Sequence, residues 1–364
     1  MKKSLVALAI LAAAGVASAQ SSVTMFGIVT IGLQHGTGDG VGSSDKSGIN
    51  SGGDVTSRLG FRGTEDLGGG MSAGFWLEGQ LNVDNGSGAP TGTNNQVGGI
   101  TGGGGLTFNR RSTVSLASKS LGEVRLGRDY RVESVNNSAF DPFTVQGAGG
   151  SEGPDGQANR FLPGGGTALR VSNSVSYFLP KLGGFYGQFQ HSLGENANNV
   201  GVTEDDGDHT GIRLGWANGP INVAVSTGKT DFARSATTGD VTLSNVAGSY
   251  DFGFAKLAAV FNHDKFDQAV ELTGKGLLIG ATVPMGAGEI RAAYSRYEIT
   301  GNGLSPEIKK VSLGYRHHLS KRTALYATVG HLKNSGGSSR ALLGATTGVN
   351  ENSTGSEFGI THRF

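Results

Sequence analysis

Apolar and polar residues alternate with a period of two along nearly the whole chain, the signature of strands with one greasy and one polar face. The clearest runs are VTMFGIVTIGL (23–33), SRLGFRG (57–63), SAGFWLEGQLN (72–82) and RSTVSLAS (111–118), with a weaker GEVRLGRD at 122–129. VSNSVSYFLP, GFYGQFQH, TGIRLGWA, INVAVSTG, VTLSNVAGSYD and FAKLAAVFNH continue the series. GLLIGATVP, GEIRAAYSRYEI, KKVSLGYRHH, TALYATVGH and the terminal EFGITHRF close it. The pattern predicts an all-β chain of about sixteen strands.

The connections alternate as regularly as the strands. From the second strand on, short turns such as TEDLGGG, SKSLG, PKLGG, ANGP and PMGAG take turns with long loops such as 83–107, 131–170, 193–209 and 334–354. A soluble sandwich has no reason to keep that parity, whereas a transmembrane β-barrel sits with short periplasmic turns and long extracellular loops. An even strand count brings both ends of the chain to the short-turn side, where first and last strands pair and leave no open edge. In the last strand Phe358, Ile360 and Phe364 share one parity, and lipid is their expected neighbour. Trp216 shares the outward parity of Ile212 and Leu214 beside a short turn, the place of an aromatic girdle.

The first residues, MKKSLVALAILAAAGVASAQ, read as a secretory signal peptide: Lys2 and Lys3, an apolar run, then Ala17-Ser18-Ala19. Cleavage is expected after Ala19, leaving residues 20–364 as one barrel domain exported through the periplasm. Without the leader, 28 Lys and Arg stand against 29 Asp and Glu, a balance that gives no reason to expect a nucleic-acid partner. Cysteine is absent, so the fold must hold without disulfides. Beyond the leader no run approaches the roughly 20 apolar residues of a membrane helix, and a mean hydropathy of −0.17 leaves a barrel open. Glycine supplies 64 of 364 residues without a collagen period, in keeping with many tight turns and small inward positions.

SSVTMFGIV, SRLGFRGTEDLGGG, FNRRSTVSL, EVRLGRD, NSVSYFLPKLGGF, LSKRTALYATVG and the final THRF together resemble the general porins of Gram-negative bacteria, of the β-proteobacterial type. The resemblance runs from Ser21 to Phe364, with the long loops divergent. It implies an outer-membrane homotrimer of sixteen-stranded barrels that passes small hydrophilic solutes and ions by passive diffusion, needing no cofactor. It also implies that Phe364 is read by the outer-membrane assembly machinery, and that lipid and lipopolysaccharide surround the barrel. In such porins the third long loop folds into the pore; here it is the 130–170 connection, and its candidate pore acids are Asp141, Glu152 and Asp155.

Strand parity supplies the facing wall. Leu59 and Phe61 face out, so Arg58 and Arg62 face the lumen; Val171, Val175 and Tyr177 face out, so Arg170 faces in. Arg125 points inward by the same count, and Arg128 is ambiguous. Val114 and Leu116 put Arg111 inside and Arg110 outside unless a bulge shifts the register, whereas the resemblance favours Arg110 as the pore residue. Arginines left partly unpaired imply modest anion selectivity. Equal permeation of potassium and chloride would sink that expectation.

Two rivals remain in view. A substrate-specific channel for an organic acid, phosphate or sugar needs aromatic rails or a pocket, and Trp76 is one aromatic of lumen parity with Glu78 and Gln80. A barrel enzyme needs a His held with a carboxylate or Ser; His35, His191, His209, His263, His317, His318, His331 and His362 form no such motif. The acid run TEDDGDH (203–209) could hold calcium but lacks the spacing of an EF-hand loop.

Overall fold

A computed structural model describes residues 22–92, 95–96, 100–101, 105–151, 169–198, 201–303 and 305–364. The expected leader and its expected cleavage site after Ala19, and the loop acids Glu152 and Asp155, lie outside the described residues. Sixteen antiparallel strands close on themselves. They are β1 (Ser22–Gly38), β2 (in two segments, Lys46–Ser51 and Arg58–Gly68), β3 (Met71–Asn82), β4 (Arg111–Ser118), β5 (Gly122–Tyr130), β6 (Arg170–Phe178), β7 (Phe185–Ser192) and β8 (His209–Asn218). The other half is β9 (Ile221–Thr230), β10 (Asp240–Asp251), β11 (Lys256–Asp267), β12 (Leu272–Met285), β13 (Gly288–Thr300), β14 (Glu307–His318), β15 (Thr323–Ser335) and β16 (Asn352–Arg363). Each pairs with its neighbours in sequence, and β1 pairs with β16 from Ile28↔Arg363 to Gly38↔Ser353, so the ladder has no free edge.

The alternation decides which face meets lipid. In β9 Val223 and Val225 are about half exposed while Ala224 and Ser226 are buried, and β4 does the same with Val114 and Leu116 against Thr113. Phe358, Ile360 and Phe364 stand outward as expected. The short turns are tight enough to need glycine: in Asn218-Gly219-Pro220-Ile221 the glycine sits at φ 55°, a conformation a Cβ disfavours.

Two features depart from the alternation. The upper segment of β2, KSGINS, pairs with β1 from Ile31↔Ser51 to Gly36↔Lys46, yet its polar sequence carries no strand signal. Residues 52–57 between the two segments leave the wall and turn into the lumen; Gly52 N and Ser57 Oγ donate to Thr30 O, and Thr30 N donates back to Ser57 Oγ.

The third long loop also enters the barrel. It opens with α1 (Val132–Phe140), which lies against β8 to β11. Its seat is apolar: Phe140 and Phe143 pack on Ala224, Ala247, Ala258, Val260, Leu278 and Ala293. A second apolar cluster joins Ala148 of this loop to Leu342 and Leu343 of the last long loop and to Tyr297, Ile308 and Leu332 of the wall. The barrel interior is therefore polar on the β2–β6 side and partly apolar on the β9–β15 side, because the inward loops need a dry surface to rest on. No helix among the described residues is long and apolar enough to cross a membrane.

Candidate functional site

The polar side of the lumen is a wall of arginines built on β2 to β6. Arg58 and Arg62 share the inner face of β2. Arg58 Nη1 lies 3.6 Å from Glu78 Oε1, and Arg62 is exposed to the lumen with its guanidinium 5.1 Å from the ring centres of both Phe26 and Trp76. Arg125 is gripped by Glu123 and Asp129 and lies over the Phe178 ring at 4.1 Å. Arg111 rests on Trp76 at 4.7 Å, donates to Thr113 Oγ1 at 2.9 Å, and reaches Asp129 only at 3.8 Å.

Both members of the Arg110–Arg111 pair face inward, which corrects the parity reading that placed Arg110 outside. Arg111 is the register partner of Glu78, and the amide of Arg110 also donates to the Glu78 carbonyl, so two residues oppose one. The preceding Asn109 keeps the ladder going with its side chain, accepting from Gln80 N at 2.9 Å. Arg110 is buried, its Nε on Glu78 Oε1 and its Nη2 on Tyr130 Oη at 3.2 Å. Arg128, ambiguous in sequence, turns to the loop side and donates to the carbonyls of Asn109 and Gly92 and to Ser172 Oγ. Arg170 is buried with its guanidinium 4.2 Å from the Tyr130 ring centre.

Facing this wall is the inner edge of the third long loop. The space between them is lined by Arg110, Tyr130 and Arg170 on one side, by Ser134, Ser138 and Gln146 of the loop on the other, and by Ser57, Gln80 and Asn82 toward the mouth. Asp141 does not face it. Its carboxylate accepts from Phe143 N, Val145 N, Ser151 N and Ser151 Oγ, at 2.6 to 3.2 Å, and so shapes the turn after α1. That corrects the expectation of a pore acid at this position, because the backbone donors of the loop occupy it. Glu133, at the start of α1, is likewise buried against Arg131 and His209.

The loop is held at both ends of its inward path. Asn136 Nδ2 donates to Asn245 Oδ1 at 2.9 Å, Arg213 Nε donates to Asn136 Oδ1, and Asn245 Nδ2 donates to the Glu133 carbonyl. At the tip Ala148 N donates to Glu357 Oε1 at 2.7 Å and Thr56 Oγ1 donates to Gln146 Oε1 at 2.8 Å. Gly147 has φ 59°, and a Cβ there would lie 2.1 Å from Glu357 Oε1 and 2.2 Å from Gly53 O, so only glycine fits. The inward kink of β2 is anchored across the lumen as well: Asp54 accepts from Arg291 Nη2 at 2.8 Å, from Arg316, and from Thr361 Oγ1 at 3.1 Å.

Asp129, Tyr130, Arg213, Arg291, Arg316, Asp54 and Glu357 escaped the sequence reading, and Glu78 was read only as a lumen-facing neighbour of Trp76. Arg213 between Ile212 and Leu214 carried the parity signal that found Arg125; the acids show only when their partners on other strands are known. Trp76 does line the lumen, but Arg62 and Arg111 stack on it, which leaves it no rail for a sugar. His35, His191, His331 and His362 each bond a hydroxyl of a paired strand, namely Ser47, Thr210, Thr354 and Thr323. In the acid run, Asp206 accepts from Ala233 N and Asp208 from Gly194 N, so both serve loop backbone.

Residues 4–337 match the family model described as Gram-negative porin. Over the full length of both chains the sequence is 37% identical to outer membrane porin protein 32 of Delftia acidovorans, and 30% identical to an outer membrane porin protein of Bordetella pertussis. Among solved structures, the anion-selective porin from Comamonas acidovorans superposes with a TM-score of 0.80 at 33% identity, covering 95% of this chain and 100% of that one. OmpF of Salmonella typhi, at 16% identity and a TM-score of 0.64 over 94% of this chain and 97% of its own, shares the fold.

Proposed function

We infer the function from one premise: the chain belongs to the Gram-negative porin family, and is an outer-membrane β-barrel channel. On that premise the pore passes small hydrophilic solutes and prefers anions, as the Comamonas relative does by its name. The observation that carries the preference is a charge imbalance. Arg62, Arg128, Arg170 and Arg213 line the lumen without a carboxylate in ion-pair contact among the described residues, while the loop opposite presents Ser134, Ser138 and Gln146. Low-dielectric walls strengthen such a field.

In this reading Arg58, Arg62, Arg110, Arg111, Arg125 and Arg170 form the basic side of the constriction. Residues 20–364 are the mature single-domain chain after cleavage at Ala19. Phe364 is the assembly signal, and the working form is a homotrimer set among outer-membrane lipid and lipopolysaccharide. The test is planar-bilayer recording of the purified protein, with the reversal potential taken across a potassium chloride gradient. Insertions in steps of three and an anion-biased reversal are expected; a potential of zero refutes the preference. Saturable block of the current by one organic acid, phosphate or sugar would replace the general channel with a substrate-specific one.

A further inference from the structure

The inner face of β3 carries one large aromatic side chain, Trp76, half-buried and set among the arginines of β2 and β4. Its register partners are Arg62 on β2 and Thr113 on β4, so it stands between two strands that each contribute arginine. Arg62 lies 5.1 Å and Arg111 4.7 Å from its ring centre. Its Nε1 donates to Glu78 Oε2 at 3.2 Å, and the other oxygen of that carboxylate takes Arg110 and Arg58. Phe26 backs the indole at 4.8 Å, tilted by 58°, and shares Arg62 with it.

We propose that Trp76 is a positioning residue that holds Arg58, Arg62, Arg110 and Arg111 at fixed spacing, and that it thereby sets the strength of the anion preference. The proposal rests on the anion-selective reading above. Its physical basis is that a ring face attracts a guanidinium without cancelling its charge. Carboxylates could also hold four arginines together, but each would subtract from the field that the pore shows to a passing ion. Here one carboxylate, Glu78, is shared between two arginines, and the indole holds both that carboxylate and the two arginines it does not reach. The long 3.8 Å approach of Arg111 to Asp129 fits this arrangement: the guanidinium stays on the ring. Without the ring Arg111 is free to close on Asp129, and Arg62, which has no acid in ion-pair contact among the described residues, loses the ring face that fixes its place.

The experiment compares full-length wild type with Trp76→Phe and Trp76→Leu in planar bilayers, reading anion-to-cation permeability ratio and single-channel conductance separately. Trp76→Leu is expected to lower the ratio by roughly threefold while conductance holds or rises, and Trp76→Phe, which restores a ring face, to recover most of the ratio. In an Arg62→Gln/Arg111→Gln background Trp76→Leu should change the ratio little further. A side chain that only fills space predicts the opposite: more conductance, an unchanged ratio, and no rescue by Phe, and that result overturns the proposal. Heat-dependent gel mobility certifies folding; if Trp76→Leu does not fold, Trp76→Met takes its place with the same two outcomes. Wild-type channels without anion bias would defeat the functional reading, whereas biased wild type with an unbiased response at Trp76 would defeat this role alone.

Discussion

Arg170 and Glu78 show how one residue changes the field of the lumen in either direction. Arg170 is held by the face of Tyr130 with no acid in ion-pair contact among the described residues, so Arg170→Gln removes a charge and orphans no described carboxylate. At an effective dielectric near 20, a unit charge a few ångströms away is worth about 4 kcal/mol, and much less across a water-filled gap. A loss of about 1 kcal/mol for a passing anion lowers the anion-to-cation ratio roughly fivefold, read as a smaller reversal potential. Glu78→Gln should move it the other way, raising the ratio about two- to threefold. The same change leaves buried Arg110 without its charged partner, and should lower unfolding stability by about 1–3 kcal/mol in a thermal or urea titration. Parity in the sequence was enough for Arg58, Arg62, Arg111 and Arg125, because a regular strand turns every second side chain inward; Arg170 lies beyond a register shift between Val171 and Ser174, and Val171, expected to face out, is buried. Parity failed at Arg110, where the Asn109 side chain substitutes for backbone in the ladder and adds a residue to one strand.

At the scale of the element, the third long loop is the part whose conformation decides the aperture. Two of its residues test whether the seat or the latch governs. Phe143 sits in the apolar cluster with Phe140, Val260 and Leu278, and Phe143→Ala should cost roughly 3–5 kcal/mol of loop seating, seen as higher conductance and noisier open states in single-channel records. Gly147→Ala forces a Cβ into Glu357 and into a backbone region costing about 1–2 kcal/mol, and should displace the tip alone, with a smaller rise in conductance and little change in global stability. The barrel strands themselves were legible from alternation, as were the long and short connections. The KSGINS segment was not, since Ile49 is its single apolar residue and shows no alternation, and the kink at 52–57 was not, since its anchors Arg291, Arg316 and Thr361 come from strands more than two hundred residues away. Asp141 looked like a pore acid because a sequence shows charge and not the amides that surround it.

For the whole molecule, everything depends on the joint between first and last strands. Gly27 and Phe364 exchange backbone hydrogen bonds at 3.1 Å in both directions, and the phenylalanine ring lies where a Cβ on residue 27 would stand, 2.3 Å from its Cζ. Gly27→Leu should push the ring off the joint and leave most of the protein in the unclosed, heat-insensitive form on gels, while the neighbouring outward change Met25→Leu should not. The joint also bears on timing. Glu357 and Thr361, on which the loop tip and the Asp54 kink rest, belong to the last strand made, 209 and 307 residues after their partners. Contacts so distant along the chain form late in folding. The loop tip and the kink have these anchors only where β16 stands in the wall, so closing the barrel and setting the final width of its pore are one and the same event.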